Sequence, residues 1–228
     1  MPHQQTEIVS FSSRRVSPFR SGAPVAIDAE VRGRAPRADA QRNRDLILGT
    51  AEKHFAEYGV GSSLDAIAKR AGVGAGTLYR HFPTREALLA ALLISRDEGL
   101  VARRERLRDG SVDAGQALDG WLAAVVTWAG AYEGLPEPLR AAMTTSVSPL
   151  ATTCEGFVTT TAEFLEAAQR AGLARSDVRA RDLFLAALAT SWVRGAALAD
   201  DSSAAALSAL TRMGWAAPTH DRRVHSRD

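Results

Sequence analysis

The stretch Ser63-Leu-Asp-Ala-Ile-Ala-Lys-Arg-Ala-Gly-Val-Gly-Ala-Gly-Thr-Leu-Tyr-Arg-His-Phe82, followed by Pro83, Thr84 and Arg85, decides the fold of this chain. Ser62 and Ser63 can accept hydrogen bonds from the free amides at a helix start, and Asp65, three residues after Ser62, gives a capping-box-like pattern with Asp in place of Glu. Leu64, Ile67, Ala68 and Ala71 then fall three or four apart as one apolar stripe, with Lys69 and Arg70 off it. Gly72 tolerates the positive φ of a helix end, and Val73 fills the angle before the next helix. That second helix, about Ala75 to Phe82, buries Leu78 and Phe82, leaves Ala75, Thr77, Arg80 and His81 outward, and sets Tyr79 at the margin. Pro83 stops it and Thr84 caps the next one. The pattern is a helix-turn-helix.

Gly74, Ala75 and Gly76 leave little side-chain bulk at the start of the second helix, so its backbone can approach a major groove, and helix N-terminal amides favour phosphate. Arg85, in the first turn of the following helix, opposes the macrodipole, a penalty that a nearby phosphate reverses. Spacing alone also fits a small-residue hairpin inside any α domain. Tyr79 likewise suits a cap on the small core, and His81 an ordinary exposed histidine.

The pattern Ile67-Ala68, Ala71-Gly72-Val73, Gly76-Thr77-Leu78-Tyr79, His81-Phe82 and Arg85-Glu86-Ala87-Leu88, preceded by Ile47, Ala51, Phe55 and Gly59, resembles the TetR family of transcriptional regulators from about Arg42 to Leu92. The resemblance implies that Ser63, Tyr79, His81 and Arg85 hold phosphates and that Gly74, Ala75, Thr77 and Arg80 face bases. Arg80 suits guanine O6 and N7, and the methyls of Ala75 and Thr77 suit thymine. Many relatives carry lysine or a polar residue at Ala75 and a non-proline at Pro83, so their operators do not transfer.

At 228 residues with 46% hydrophobic content the chain can bury a proper core. No apolar run approaches the ~18 residues of a membrane span, which predicts a protein that does not cross a bilayer. One cysteine, Cys154, rules out an intramolecular disulfide and suits a reducing cytoplasm; it reads as packing, with a redox sensor as the alternative. The five histidines are scattered without ligand spacing, so neither metal nor cofactor is expected. Too few acids, bases or nucleophiles gather anywhere to propose an enzyme.

The net charge of +2 is unevenly placed. Lys and Arg outnumber Asp and Glu by 13 to 8 through Arg85, and fall short by 12 to 16 from Glu86 to Trp215. The basic end carries the helix-turn-helix, as one nucleic-acid-facing lobe requires. Residues 1–38 read as a disordered tail with six arginines. Ser13-Arg14-Arg15 is not followed by the apolar segment of about 7–15 residues that export needs. Arg32, Arg34 and Arg37 form either a basic arm or part of an idle tail. Residues 216–228 read as a second tail.

Everything between reads as helix, predicting an all-α fold, and the resemblance implies a DNA-binding domain at 39–84 and an effector-binding and dimerisation domain at 85–215. The spacing predicts a first helix over Asp39 to Tyr58, with Leu46, Ile47, Thr50, Ala51 and Phe55 inward and Arg42 and Arg44 near the DNA backbone. A helix from Thr84 to about Arg106 bridges the lobes. Further helices are expected at Asp113–Tyr132, Pro136–Val147, Pro149–Ala171, Ala180–Leu198 and Ser202–Gly214. The segment after the bridge is similar to the C-terminal domains of SbtR-like TetR regulators, through Trp121, Gly134-Leu135, Leu139-Arg140-Ala141-Ala142, Ala171-Gly172 and the stretch around Asp182-Leu183.

Trp121, Val125, Trp128 and Tyr132 share one helical face, either as core or as the wall of the effector pocket that the resemblance implies, with Met143, Phe157, Thr161 and Phe164 opposite. Such a pocket suits a small apolar or aromatic molecule. Small residues in the last two helices, Gly195 and Ala196 among them, interleave with Leu188, Trp192, Leu207 and Leu210 and predict a four-helix-bundle homodimer. Together these features predict a repressor of a pseudo-palindromic operator released by its effector, with an activator or a nonspecific architectural DNA-binding protein as alternatives.

Overall fold

The periodicities resolve, in a computed structural model of the chain, into helices α1 (Asp28–Tyr58), α2 (Leu64–Arg70), α3 (Ala75–His81), α4 (Arg85–Ser95), α5 (Asp97–Arg108), α6 (Ala114–Ala129), α7 (Pro136–Ala142), α8 (Ala151–Arg170), α9 (Ala180–Val193) and α10 (Ser203–Trp215). The structure describes residues 28–95, 97–145, 147–194, 200 and 202–218. Among them the only β-type pairing is one isolated antiparallel bridge, between Ala174 and Ala216. The expected all-α class holds. Residues 1–39 form one unit, described from Asp28 on, and residues 40–228 form the other.

Helix ends follow from local chemistry. Asp113 caps α6 by accepting from the Gln116 amide at 2.8 Å, and Pro136 opens α7, where its missing N–H costs nothing. Two Ala-Gly pairs close helices in the same way. At Gly72 (φ +68°) the Gly72 and Val73 amides return to Lys69 and Ala68 carbonyls at 3.1 and 3.0 Å. At Gly172 (φ +70°) the Gly172 and Leu173 amides return to Gln169 and Ala168 at 3.0 and 2.9 Å. Both are Schellman motifs, which need a residue at ease in the left-handed region.

In the second unit α6 is the central helix, packed on α5, α8 and α9, with α10 laid on α9. One apolar cluster runs from Ile47 through Trp121, Val125 and Phe184 to Trp215. The helix-turn-helix shares it. The ring of Phe55 in α1 meets Tyr132 at 6.2 Å, edge to face, and the Val60 amide donates to Glu133 O at 2.9 Å. Gly59 (φ +72°) makes this approach possible, because a Cβ there would lie 3.1 Å from Glu133 O.

Several expectations need correction. α1 begins at Asp28, ahead of Asp39, in a stretch with three Ala and three Arg, good helix formers, although Gly33 and Pro36 oppose the helix there. The expected bridging helix is helical on both sides of residue 96, which lies outside the described residues, as α4 and α5, and runs on to Arg108. α6 stops at Ala129, leaving Tyr132 in a turn. α7 stops at Ala142, its end tightened by the Thr144 hydroxyl returning to Ala141 O at 2.7 Å. Leu46 is 51% exposed, because the buried stripe of α1 runs Ile47, Ala51, Phe55. Ser62 does not cap α2; its hydroxyl donates to Gly59 O at 2.8 Å while Ser63 is the N-cap, so Asp65 falls one position short of a capping box. Ala216 and Ala217 are not loose: the first bridges to Ala174, and the second donates to Leu173 O at 3.0 Å. The expected readings of residues 1–27 and 219–228 lie outside the described residues, as do the side chains of Arg32, Arg34 and Arg37.

Candidate functional site

The apolar side of the helix-turn-helix is wholly used. Ile67, Leu78 and Phe82 are buried, and Leu64 and Ala68 nearly so. The opposite side collects most of the residues that the sequence nominated. Gly74, Ala75 and Arg80 are exposed, Tyr79 is 44% exposed, and Thr77 and His81 are half-buried. Arg80 lies along α3, its Nε donating to Gly76 O at 3.1 Å and its Nη2 to Thr77 Oγ1 at 3.2 Å. Arg44, half-buried in α1, sets its guanidinium 4.8 Å from the Phe82 ring centroid, and the His81 ring lies 6.3 Å from the same ring. Phe82 therefore gathers one cation of α1 and the imidazole of α3 beside it.

Ser63 is exposed and accepts from the Ala66 amide at 3.4 Å, a long bond for a cap. Arg85, the cation expected at the phosphates, is half-buried. Its Nη1 donates back into the head, to Val60 O and to Ser62 O, the latter at 2.6 Å. The Val60 peptide is thus gripped from two sides, its N–H by Glu133 O and its C=O by Arg85. Across the head, Arg70 pairs with Glu57 at 2.8 Å, and the Tyr58 hydroxyl donates to Glu57 at 2.6 Å; the two bonds hold the Glu57 carboxyl below its ordinary range.

A second feature lies in the C-terminal body. A cleft of about 520 Å³ opens between α4, α5, α6 and α8, lined among others by Leu93, Leu100, Arg104, Trp121, Trp128 and Phe157. Of the eight residues nominated for an effector pocket, Trp121, Trp128 and Phe157 face this space. The other five serve the packing around it. Thr161 accepts from Trp121 Nε1 at 2.9 Å and donates to Phe157 O at 2.7 Å. Phe164 stacks on Trp121 at 5.7 Å, and Val125 is fully buried. Tyr132 packs on Phe55, and the Met143 carbonyl accepts from Arg181 at 2.8 Å. Phe184, stacked 5.7 Å from Phe157, completes an aromatic cluster. The α8 wall was readable in the sequence: Thr153, Gly156, Phe157 and Thr160 recur at i, i+3, i+4 and i+7.

Cys154 is buried, with its Sγ donating to Leu139 O at 3.4 Å; burial, with Glu155 adding, pushes its thiol up to about 11. Such a thiol is a poor nucleophile, which favours packing over redox sensing.

On the far side of α9 and α10, Trp192 is 60% and Leu210 58% exposed, with Met213 also outward and Leu207 half-buried. Leu188, nominated for a subunit interface, is only 3% exposed because it completes the chain's own core. Gly195 and Ala196 lie outside the described residues. α10 is anchored by buried Trp215, by the Arg175 amide donating to Trp215 O at 2.9 Å, and by an Arg212–Asp119 ion pair. Burial nevertheless pushes the Asp119 carboxyl above its usual range.

Residues 47–92 match the family described as bacterial regulatory proteins, tetR family, and residues 113–217 match the SbtR-like transcriptional regulator C-terminal domain. Head and body each match their own half of one regulator architecture, in the right order. The chain belongs to the TetR family. It is 40% identical over 68 residues to the HTH-type transcriptional regulator UidR of Escherichia coli, covering 29% of this chain and 35% of that protein. A Staphylococcus aureus HTH-type transcriptional regulator is 49% identical over 53 residues, 23% of this chain and 29% of the relative. The chain therefore spans about a third of the length of the curated relatives it matches. Among solved structures it is similar to the TetR regulator SCO0520 of Streptomyces coelicolor, at 32% identity over 77% of this chain and 99% of that one, TM-score 0.49. The regulatory protein TetR of Rhodobacter sphaeroides shares the fold at 17% identity, covering 75% of this chain and 97% of that one, TM-score 0.53. This TetR-family protein is a transcriptional regulator with a DNA-binding helix-turn-helix. No described helix is long and apolar enough to cross a membrane.

Proposed function

We propose that this TetR-family regulator is a cytoplasmic homodimeric repressor of a pseudo-palindromic operator, released when a small, largely apolar molecule enters the cleft beside Trp128. Ser63, Tyr79 and His81 hold phosphates, and Gly74, Ala75, Thr77 and Arg80 read base edges, with Arg44 close to the backbone. Arg85 acts one step back: it holds the loop before α2 in place, so that Ser63 and α3 reach the duplex together.

One observation carries the reading. α4 begins with Arg85, bonded to the loop before the helix-turn-helix, and two turns later the same helix lines the cleft with Leu93 and Ile94. Whatever occupies the cleft bears on a helix fastened to the reading head. A ligand acts only through its differential affinity for the two arrangements; moving operator competence from 99:1 to 1:99 takes ~5.5 kcal/mol.

The exposed apolar row of Trp192, Leu210 and Met213 supports the homodimer, since a lone protomer would leave it in water. Pairing of α9 and α10 across a two-fold axis would hold two α3 helices about 34–36 Å apart, one turn of DNA. Sedimentation of the wild type and of the Trp192→Arg, Leu210→Glu double variant, with gel shifts on both, tests the reading. The expected result is a dimer that shifts operator strongly and a double variant that is monomeric and shifts it weakly. A monomeric wild type, or equal shifts of operator and random duplex, contradicts it; the latter is what an architectural DNA-binding protein would give.

A further inference from the structure

The two indoles that face the cleft are not equivalent. Trp121 Nε1 is satisfied by Thr161 Oγ1 at 2.9 Å. Trp128 is 8% exposed, and its Nε1–H has neither solvent nor an acceptor among the described residues. Buried donors are almost always paired, so this orphan beside the cleft is answered when the indole turns its N–H toward an acceptor on a bound molecule.

The charge on the walls is equally one-sided. Arg104 is the single ionisable residue lining this cleft, and no Asp or Glu lines it. Its Nε donates at 3.0 Å to Glu105, whose side chain is more than half exposed. That bond orients the guanidinium, and among the described residues its two Nη groups have no acceptor. A guanidinium held this way on a partly apolar wall is suited to a planar carboxylate, which it meets with two parallel bonds. The remaining surface is mostly apolar, from Leu93, Leu100 and Phe157, with Thr152, Thr153, Thr159 and Thr160 of α8 among it. A volume of about 520 Å³ falls in the range of drug-sized ligands.

We infer that the cleft binds an organic monoanion: an apolar, largely flat body bearing one carboxylate, which pairs with Arg104, and one oxygen acceptor, which takes the Trp128 N–H. The inference rests on the effector reading of this cleft and narrows its ligand from an apolar molecule to an amphipathic acid. It also assigns the two residues that select it. A neutral isostere leaves the Arg104 Nη groups without an acceptor while Nε stays paired with Glu105, and an acid without the acceptor leaves Trp128 an orphan.

Three probes of one shape separate these contacts: 4-benzoylbenzoate with acid and ketone, its methyl ester with the ketone alone, and 4-benzylbenzoate with the acid alone. Calorimetric titration into the full chain is expected to give tightest binding for 4-benzoylbenzoate and roughly tenfold weaker binding for each of the others, the size of one lost directed contact. Arg104→Gln is expected to erase the preference for acid over ester, Arg104→Lys to keep most of it, and Trp128→Phe to erase the preference for ketone over methylene. Should Arg104→Gln fail to fold, the wild-type comparison of acid with ester and the lysine variant decide the point. Equal binding of acid and ester, selectivity indifferent to Arg104→Gln, or no binding of any probe overturns the inference. Operator release followed in the same samples tests the underlying reading separately: selective binding without release would refute the effector role and leave the ligand chemistry standing.

Discussion

Arg85→Ala separates two physical roles for the cation at the start of α4. A phosphate contact contributes counterion release, so its loss flattens the dependence of log affinity on log salt by about 0.9 per head, or about 1.8 for a dimer. A positioning contact contributes order. Arg85 Nη1 donates to two loop carbonyls, Val60 O and Ser62 O, beside the Ser63 cap. Charge-assisted hydrogen bonds contribute ~1.5–3 kcal/mol each when buried, and half-burial reduces that, so loosening the loop should cost ~2 kcal/mol. If that cost falls on the bound state, each head loses about 30-fold, and a dimer with two such heads about 1,000-fold, in operator affinity at any one salt concentration. Anisotropy titrations of operator at several concentrations over about 50–300 mM salt read both quantities at once. The expected outcome is a roughly 1,000-fold loss for the dimer at an unchanged slope, with Arg85→Lys restoring part of it. A slope flattened by about 1.8 would refute the positioning role and return Arg85 to the phosphates.

Three further outcomes follow from the packing. Thr161→Val strands the buried Trp121 N–H and should lower thermal stability by ~1–3 kcal/mol in a melting experiment, whereas Thr159→Val, at an exposed position, should change it little. Gly59→Ala should cost more than Gly72→Ala in denaturant unfolding: both adopt left-handed φ, at ~1–2 kcal/mol, but only at Gly59 does the new Cβ crowd Glu133 O, at 3.1 Å. Because the folded Cys154 thiol titrates at about 11 and the unfolded one near 9.0, its stabilising contribution is whole below pH 9 and fades as pH rises toward 11. Cys154→Ala should lose that part of the alkaline decline in pH-dependent unfolding, and the native thiol should resist alkylation at pH 8.

The helix-turn-helix was legible because each of its signals is local. Gly72 ends α2 by backbone geometry, Pro83 ends α3 sterically, and the spacing of Leu64, Ile67, Leu78 and Phe82 assigns the buried side without reference to the rest of the chain. The bonds of Arg85 to Val60 O and Ser62 O were not readable because these acceptors are backbone atoms more than twenty residues away, and main-chain acceptors leave no mark in sequence. The aromatic stripe of α6 was correctly placed against α8, yet only part of it faces the cleft. Which side of a buried helix meets a void and which meets a neighbour depends on the crossing of α4 and α5, where the cues are plain aliphatics, Leu93 and Leu100. Leu188 and Leu210 look alike in a small-residue helix; one fills the protomer core and the other faces out.

Selection of bound duplexes from a random pool by the full-length protein tests the central claim most directly. The account predicts an enriched pseudo-palindrome whose half-sites are centred about one helical turn or a small multiple of it apart, with Arg80→Ala relaxing the preference at one base pair in each half. A pool that stays random, or one enriched in a single unpaired half-site, would contradict it.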